Sequence, residues 1–121
     1  MARVLVVDDD ESILELVRRR LSVEGHEVHT SKEALGTSRR VREIEPDVVV
    51  LDQQMPALSG ENLVKVIHEG CAVQPKIILF SSLPVEDLEE KAISSGADDF
   101  LCKTEGMAAL HNKILSVLGG G

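Results

Sequence analysis

The chain has 121 residues, with 13 lysines and arginines against 21 aspartates and glutamates, so its formal net charge is −8. This length fits one domain and excludes two, and the negative charge argues against direct nucleic-acid binding or membrane insertion. The first apolar run is too short for a signal peptide or a membrane span. The two cysteines, Cys71 and Cys102, form no CxxC pair. Their spacing favours reduced thiols and a cytoplasmic location.

Strand-like and helix-like segments alternate along the chain. Short runs rich in aliphatic residues predict strands at residues 4–7, 26–30, 48–51, 77–80 and 99–102. Apolar residues at helical spacing predict helices over residues 10–25, 31–45, 60–70, 84–95 and 104–118. In the fourth helix we expect Leu88, Ala92 and Ile93 to face inward, and we expect Thr104 to cap the fifth. Gly36 interrupts the second helix and Pro46 ends it.

This alternation predicts an α/β fold, a doubly wound sheet of five parallel strands with five helices. The runs at 4–7, 48–51 and 77–80 are apolar throughout, as in strands covered on both faces, whereas the other two strands suit the edges. These constraints give the strand order 2-1-3-4-5. Ligands of such sheets bind outside the carboxyl ends of the strands, where the strand order reverses.

Ionisable and polar side chains follow the strands at that edge. The strand ends deliver Asp8, Asp9 and Asp10, then Asp52, then Ser81 and Ser82, and finally Lys103. Clustered carboxylates repel one another unless a cation is shared, and Mg²⁺ prefers such oxygen ligands. With Mg²⁺ present, a carboxylate can accept a phosphoryl group whose oxygens bind a hydroxyl and an amine. The strand ends therefore predict phosphoryl transfer to aspartate.

Each of these residues also has an ordinary structural explanation. Asp8, Asp9 or Asp10 can cap the first helix, and Asp52 can sit in a turn. Ser81 can cap a helix and Lys103 can be a solvated amine. The coincidence of compatible groups on four strand ends favours the functional interpretation. The histidines share no metal spacing and are interpreted as structural or solvent-facing: His26, His29, His68 and His111.

The segments VLVVDDD, PDVVVLDQQMP, ILFSS and GADDFLCK closely resemble the receiver domain of bacterial two-component response regulators. The resemblance covers essentially the whole chain and implies a flavodoxin-like fold. It implies that a histidine kinase or phosphotransfer protein passes a phosphoryl group to Asp52. It also implies that Mg²⁺ binds Asp9 directly, Asp8 largely through water, and Asp52 and the Gln54 main-chain carbonyl.

The same resemblance implies a conformational switch. Ser81 and Lys103 would bind the phosphoryl oxygens, and Phe100 would turn into the space that Ser81 leaves. The face formed by helix 4, strand 5 and helix 5 would then meet a downstream protein. On this interpretation the chain is not an enzyme beyond its own phosphorylation and dephosphorylation.

The sequence departs from the usual pattern of the family near the site. Thr104 follows Lys103 where proline is usual. A non-proline cis bond costs about 3 kcal/mol, so the sequence leaves open whether this bond is cis or trans and, if it is trans, whether the amine shifts. Phe100 replaces the more common tyrosine. Gln54 and Leu83 occupy positions that tune the access of water to the acyl phosphate.

Other functions remain as alternatives. A haloacid-dehalogenase-like phosphatase also uses an aspartyl phosphate, Mg²⁺, a hydroxyl and a lysine, but usually needs a longer chain. A pseudo-receiver would only bind proteins, and an FMN-binding module would suffer from the acidic first loop. We expect the receiver domain to span residues 1–118, followed by a glycine tail at 119–121 that is a cloning scar or the start of a linker.

Overall fold

The computed structural model describes residues 1–119, which form one parallel sheet of five strands in the order β2-β1-β3-β4-β5. The glycine tail predicted at 119–121 lies outside the described residues except for Gly119. The strands are β1 (Arg3–Val7), β2 (Glu27–Ser31), β3 (Val48–Leu51), β4 (Lys76–Ser81) and β5 (Asp99–Cys102). The predicted sheet, strand order and α/β class are confirmed.

A helix follows each of the five strands within residues 1–119. These helices are α1 (Glu11–Val23), α2 (Thr37–Ile44), α3 (Gly60–Gly70), α4 (Val85–Ser95) and α5 (Met107–Val117). The Asp10 side chain caps α1 by accepting from the Ser12 N–H, and Ser59 caps α3 through Asn62. None of the helices in this described range is long and apolar enough to cross a membrane.

The sheet separates two layers of core. On one face, Val17, Leu21 and Ile114 of α1 and α5 cover the sheet. On the other face, Leu63 and Leu88 belong to the layer contributed by α2, α3 and α4. Because both faces are covered, β1, β3 and β4 are buried almost throughout, as their apolar runs predict.

Three local predictions differ from the structure. The second helix occupies only Thr37–Ile44 and begins after Gly36. Ile93 does not face inward, since its side chain is 75% exposed. It lies one residue past Ala92, and a step of one residue turns about 100° around a helix.

The prediction that Thr104 caps the last helix is also wrong. Thr104 lies in a 3₁₀ turn, Lys103–Glu105, which ends at Gly106. Gly106 has a φ of 89°, and α5 starts after it without a side-chain cap. The Thr104 hydroxyl instead lies 3.2 Å from the Cys102 Sγ, to which it donates.

The strand register aligns the chain ends that carry the predicted site. Val7 of β1 is level with Leu51 of β3, and Ser81 of β4 is level with Cys102 of β5. The residues that follow these strands therefore emerge at one edge of the sheet, next to the reversal of strand order between β1 and β3.

Candidate functional site

Three carboxylates converge at this edge. One ligand oxygen from each of Asp8, Asp9 and Asp52 lies within 4.8 Å of the others. Asp8 and Asp52 are only 2% and 5% exposed, whereas Asp9 faces solvent. The cluster thus has two buried members and one open side, as expected where strands β1 and β3 end together.

Lys103 places its ammonium group among these carboxylates. Its Nζ lies 2.7 Å from the Asp8 Oδ2 and 3.4 Å from the Asp52 Oδ2. Burial lowers the pKa of Lys103, but the hydrogen bond with Asp8 and the charge of Asp52 outweigh it and raise this pKa above its ordinary value. The amine therefore stays charged and partly neutralises the cluster.

Asp8 nevertheless remains in an unfavourable setting for a carboxylate. Burial raises the pKa of Asp8 and the charge of Asp52 adds to the rise, and together they outweigh the lowering by Lys103 and by the Asp10 N–H. The Asp10 N–H donates to the Asp8 Oδ1 over 2.9 Å, which fixes the side chain. Burial therefore outweighs the ion pair for Asp8 but not for Lys103, because the Asp8 side chain is 2% exposed and the Lys103 side chain is 16% exposed.

The loop after β5 has Thr104 where the family usually has proline, yet the Lys103 amine still lies among the carboxylates. The described residues contain no cis peptide bond, so the bond between Lys103 and Thr104, which the sequence left open, is trans. The trans bond does not take Lys103 out of the cluster, because its Nζ contacts both buried carboxylates.

The loop between β3 and α3 holds Asp52 from the other side. The Gln54 N–H donates to the Asp52 Oδ1 over 3.1 Å, and the Gln54 Oε1 accepts from the Ser82 hydroxyl over 3.0 Å. Gln53, buried beside them, accepts the Glu61 N–H of α3 over 2.8 Å. The contacts of Gln53 and Ser82 were not foreseen from the sequence, because they depend on how two loops fold towards each other.

Ser81 and Phe100 occupy neighbouring strands behind the cluster. The Ser81 hydroxyl is fully buried and has no hydrogen-bond partner among residues 1–119. Phe100 is half-buried and packs against the core layer under α4, which Leu83 also contacts. Lys113 of α5 lies over its ring, with Nζ 5.9 Å from the ring centroid.

The donor set fits a magnesium ion. Three carboxylate oxygens with one open side match the preference of Mg²⁺ for one or two carboxylates plus water and phosphate oxygens. The desolvated Asp8 carboxylate supplies a reason for binding, since a divalent cation would compensate its buried charge.

Comparison with known families decides the class of the chain. Residues 4–115 match the family model described as response regulator receiver domain. The chain belongs to the response regulator receiver domain family. This match favours neither the phosphatase nor the FMN-binding alternative. The chain also keeps the acidic cluster of Asp8, Asp9 and Asp52, which gives no support to a pseudo-receiver.

Relatives agree with this assignment. The receiver domain is 34% identical over 116 residues to the transcriptional regulatory protein PrrA of Mycobacterium leprae, covering 96% of this chain and 49% of PrrA. It is 36% identical over 107 residues to KdpE of Mycobacterium tuberculosis, covering 88% of this chain and 46% of KdpE. The chain thus spans about half the length of these regulators.

A solved structure shows the same fold. A two-component response regulator of the LuxR family from Aurantimonas superposes with a TM-score of 0.90 at 28% identity, over 99% of this chain and 86% of the other. The receiver domain therefore matches these relatives over 88–96% of the chain in sequence and this structure over 99% of the chain in backbone.

Proposed function

We propose that this receiver domain accepts a phosphoryl group on Asp52 from a histidine kinase or phosphotransfer protein and thereby controls a downstream partner. The observation that carries this proposal is the position of Asp52 at the end of β3, within the carboxylate cluster and 3.4 Å from the Lys103 ammonium. Among the three acidic residues of the cluster, Asp52 alone comes from β3.

The contacts of Asp52 suit it to attack phosphorus. One carboxylate oxygen, Oδ1, accepts the Gln54 N–H, and the other faces Lys103. In the transfer an Asp52 oxygen forms a bond to phosphorus, the bond between phosphorus and the donor imidazole nitrogen breaks, and that nitrogen keeps the electron pair. Fixed orientation of the nucleophile and a nearby positive charge lower the barrier of such a step.

Asp8, Asp9, Asp52 and the main-chain carbonyl of Gln54 would hold Mg²⁺. When bound, the ion neutralises charge on the phosphoryl oxygens. The remaining work falls to the protein, since Lys103 can move from Asp8 towards a phosphoryl oxygen while keeping its positive charge. Ser81, whose buried hydroxyl has no partner among residues 1–119, can donate a hydrogen bond to the same group.

The switch would pass from Ser81 to Phe100. Movement of Ser81 towards the phosphoryl group opens space at β4, and Phe100 on the adjacent strand turns into it. The face of α4, β5 and α5 would then change shape and meet the downstream protein. We place this activity in the cytoplasm and limit its chemistry to gain and loss of the domain's own phosphoryl group.

Phosphorylation by a small donor tests the proposal. We expect acetyl phosphate with Mg²⁺ to add one phosphoryl group to the native chain, measured by intact mass, and we expect Asp52→Asn to abolish the adduct. Asp10→Asn is the matched control, because Asp10 caps α1 outside the cluster and should still be phosphorylated in the control. A phosphoryl group that persists in the Asp52→Asn protein would overturn the assignment.

A further inference from the structure

Two histidines meet far from the carboxylate cluster. His26, in the turn before β2, and His111 of α5 lie 85 residues apart in sequence, but their Nε2 atoms are 3.1 Å apart. The rings meet edge to face, with centroids 5.2 Å apart and planes at 63°. His111 is only 8% exposed, so this contact ties α5 to the turn between α1 and β2.

The neighbours of the pair determine where its protons lie. The Ala2 N–H donates to the His26 Nδ1 over 3.0 Å, so this nitrogen carries no proton. Neutral His26 then has its proton on Nε2 and donates it to the His111 Nε2. His111 in turn has its proton on Nδ1, which lies 3.3 Å from the Glu24 Oε2. A single arrangement of two neutral rings satisfies every contact.

This arrangement leaves no favourable place for another proton. A proton on the His26 Nδ1 would face the Ala2 N–H, and a proton on the His111 Nε2 would face the His26 N–H. The same tautomer removes the Nε2 lone pair of His26, so the pair is not suited to chelate a metal. Either protonation breaks one link between α5 and the start of β1.

Charged groups around the pair act in opposite directions. Burial lowers the pKa of His26, the charge that His111 carries when protonated and the charge of the N-terminal amine lower it further, and Glu24 at the end of α1 opposes them. Arg20 of α1 lies 3.9 Å from the Glu24 carboxylate and competes for it. At the start of β2, Glu27 pairs with Arg3 and His29 instead.

We propose that the His26–His111 pair is a pH-sensitive clamp that holds α5 against the start of β1 while both rings are neutral and opens when one proton is added. The clamp uses none of the groups around Asp52. It would give α5 an input from pH that is separate from phosphorylation, so its failure would leave the proposed function untouched.

The sign of the effect follows from linkage. Because the folded pKa of His26 lies below its ordinary value of 6.5, the unfolded chain binds more protons in the window below that value. The stability that the clamp contributes is therefore complete above about pH 6.5 and is lost as the pH falls through this window.

Nitrogen NMR of the native chain tests the tautomers directly. At about pH 7.5, we expect the ¹⁵N shifts to show Nε2–H for His26 and Nδ1–H for His111. On acidification the His26 and His111 signals should change together with the Ala2 amide. A proton on the His26 Nδ1 at neutral pH, or independent titration of the two rings, would overturn the proposal.

Urea unfolding of variants tests the energetic link. Between about pH 7.5 and about pH 5.5, we expect the native folding constant to fall more than that of His26→Gln or His111→Gln, by a factor of up to about ten. His68→Gln is the matched control, because His68 is exposed on α3, and it should keep the native slope. Equal slopes in all four proteins would refute the clamp. If the two pair variants do not fold, the NMR titration of the native chain decides alone.

Discussion

Ala57 shows how one residue stores strain next to the candidate site. It lies in the loop between β3 and α3 with a φ of 73°, a left-handed conformation that costs a residue with a Cβ about 1–2 kcal/mol. Glycine adopts this conformation freely but gives the unfolded chain more entropy. The loop that follows Asp52 is thus held in a conformation that its own sequence does not favour.

Replacing Ala57 with glycine should therefore stabilise the protein. After subtracting about 0.4–1 kcal/mol for the added unfolded-state entropy, we expect Ala57→Gly to raise the free energy of unfolding by about 0.5–1 kcal/mol, measured with urea. Ala108→Gly is the opposite control, since Ala108 is exposed in α5 and glycine lowers helix stability. Destabilisation by both substitutions would show that the strain at residue 57 is not released by glycine.

Asp8 should affect stability in opposite directions with and without magnesium. Its raised pKa means that the folded state binds a proton there more tightly than the unfolded state, so at neutral pH the ionised carboxylate lowers stability. We expect Asp8→Asn to raise the urea midpoint in EDTA and to reduce the stabilisation that added Mg²⁺ provides. Identical Mg²⁺-induced shifts in the native and variant proteins would exclude Asp8 from the metal site.

At the scale of elements, α3 begins directly against the end of β3. A Cβ on Gly60 would lie 2.6 Å from the Asp52 carbonyl oxygen and 2.8 Å from the Gln53 Cα, both rigid backbone atoms. The Gly60 N–H also donates to the Gln53 carbonyl over 3.1 Å. This close approach sets the position of the loop that carries Gln54.

Gly60→Ala should push the helix away from this loop. We expect a loss of about 1–3 kcal/mol in the free energy of unfolding and weaker Mg²⁺ binding by calorimetry, because the loop must shift. Gly70→Ala, at the other end of α3, is the matched control. The nearest atom to its Cβ would be the Ser38 Oγ at 3.4 Å, so little change is expected there. Equal effects of the two substitutions would contradict this role of Gly60.

Features that depend on residues close together in the sequence could be predicted, whereas contacts between residues far apart in the sequence could not. The apolar runs of β1, β3 and β4 sufficed for the strand order, because only covered strands tolerate such composition. The strand ends likewise sufficed to bring Asp8, Asp9 and Asp52 together. By contrast, the His26–His111 contact joins residues 85 apart and leaves no periodic signal. The preference of Lys103 for Asp8 depends on one side-chain conformation.

At the scale of the whole molecule, the proposed switch must connect the carboxylate edge to the α4–β5–α5 face. Ser81 and Phe100 stand on adjacent strands, β4 and β5, between these two regions. The buried Ser81 hydroxyl lacks a partner among residues 1–119, so it is free to form a bond that the phosphoryl group supplies.

Removing that hydroxyl should uncouple the two regions. Charge-assisted hydrogen bonds contribute about 1.5–3 kcal/mol, so we expect Ser81→Ala to retain phosphorylation by acetyl phosphate but to lose most of the shift of the Phe100 ring signals. Ring NMR with beryllofluoride and Mg²⁺ measures the shift. Ser82→Ala serves as the control, because Ser82 donates to Gln54 instead. A full Phe100 shift in Ser81→Ala would direct the search to the Lys103–Thr104 loop.

The all-parallel pairing also governs how the chain first acquires its shape. Val4 pairs with Val48, 44 residues further along, and even the nearest strand partners, such as Ile78 and Asp99, are 21 residues apart. No strand can therefore find its neighbour through a tight hairpin, and each pairing must first close a long loop. During synthesis on the ribosome, β1 emerges before either of its partners, so it is unpaired until β2 follows, and its other edge stays open until β3 arrives. That interval is when the nascent chain is most open to chaperones and to aggregation.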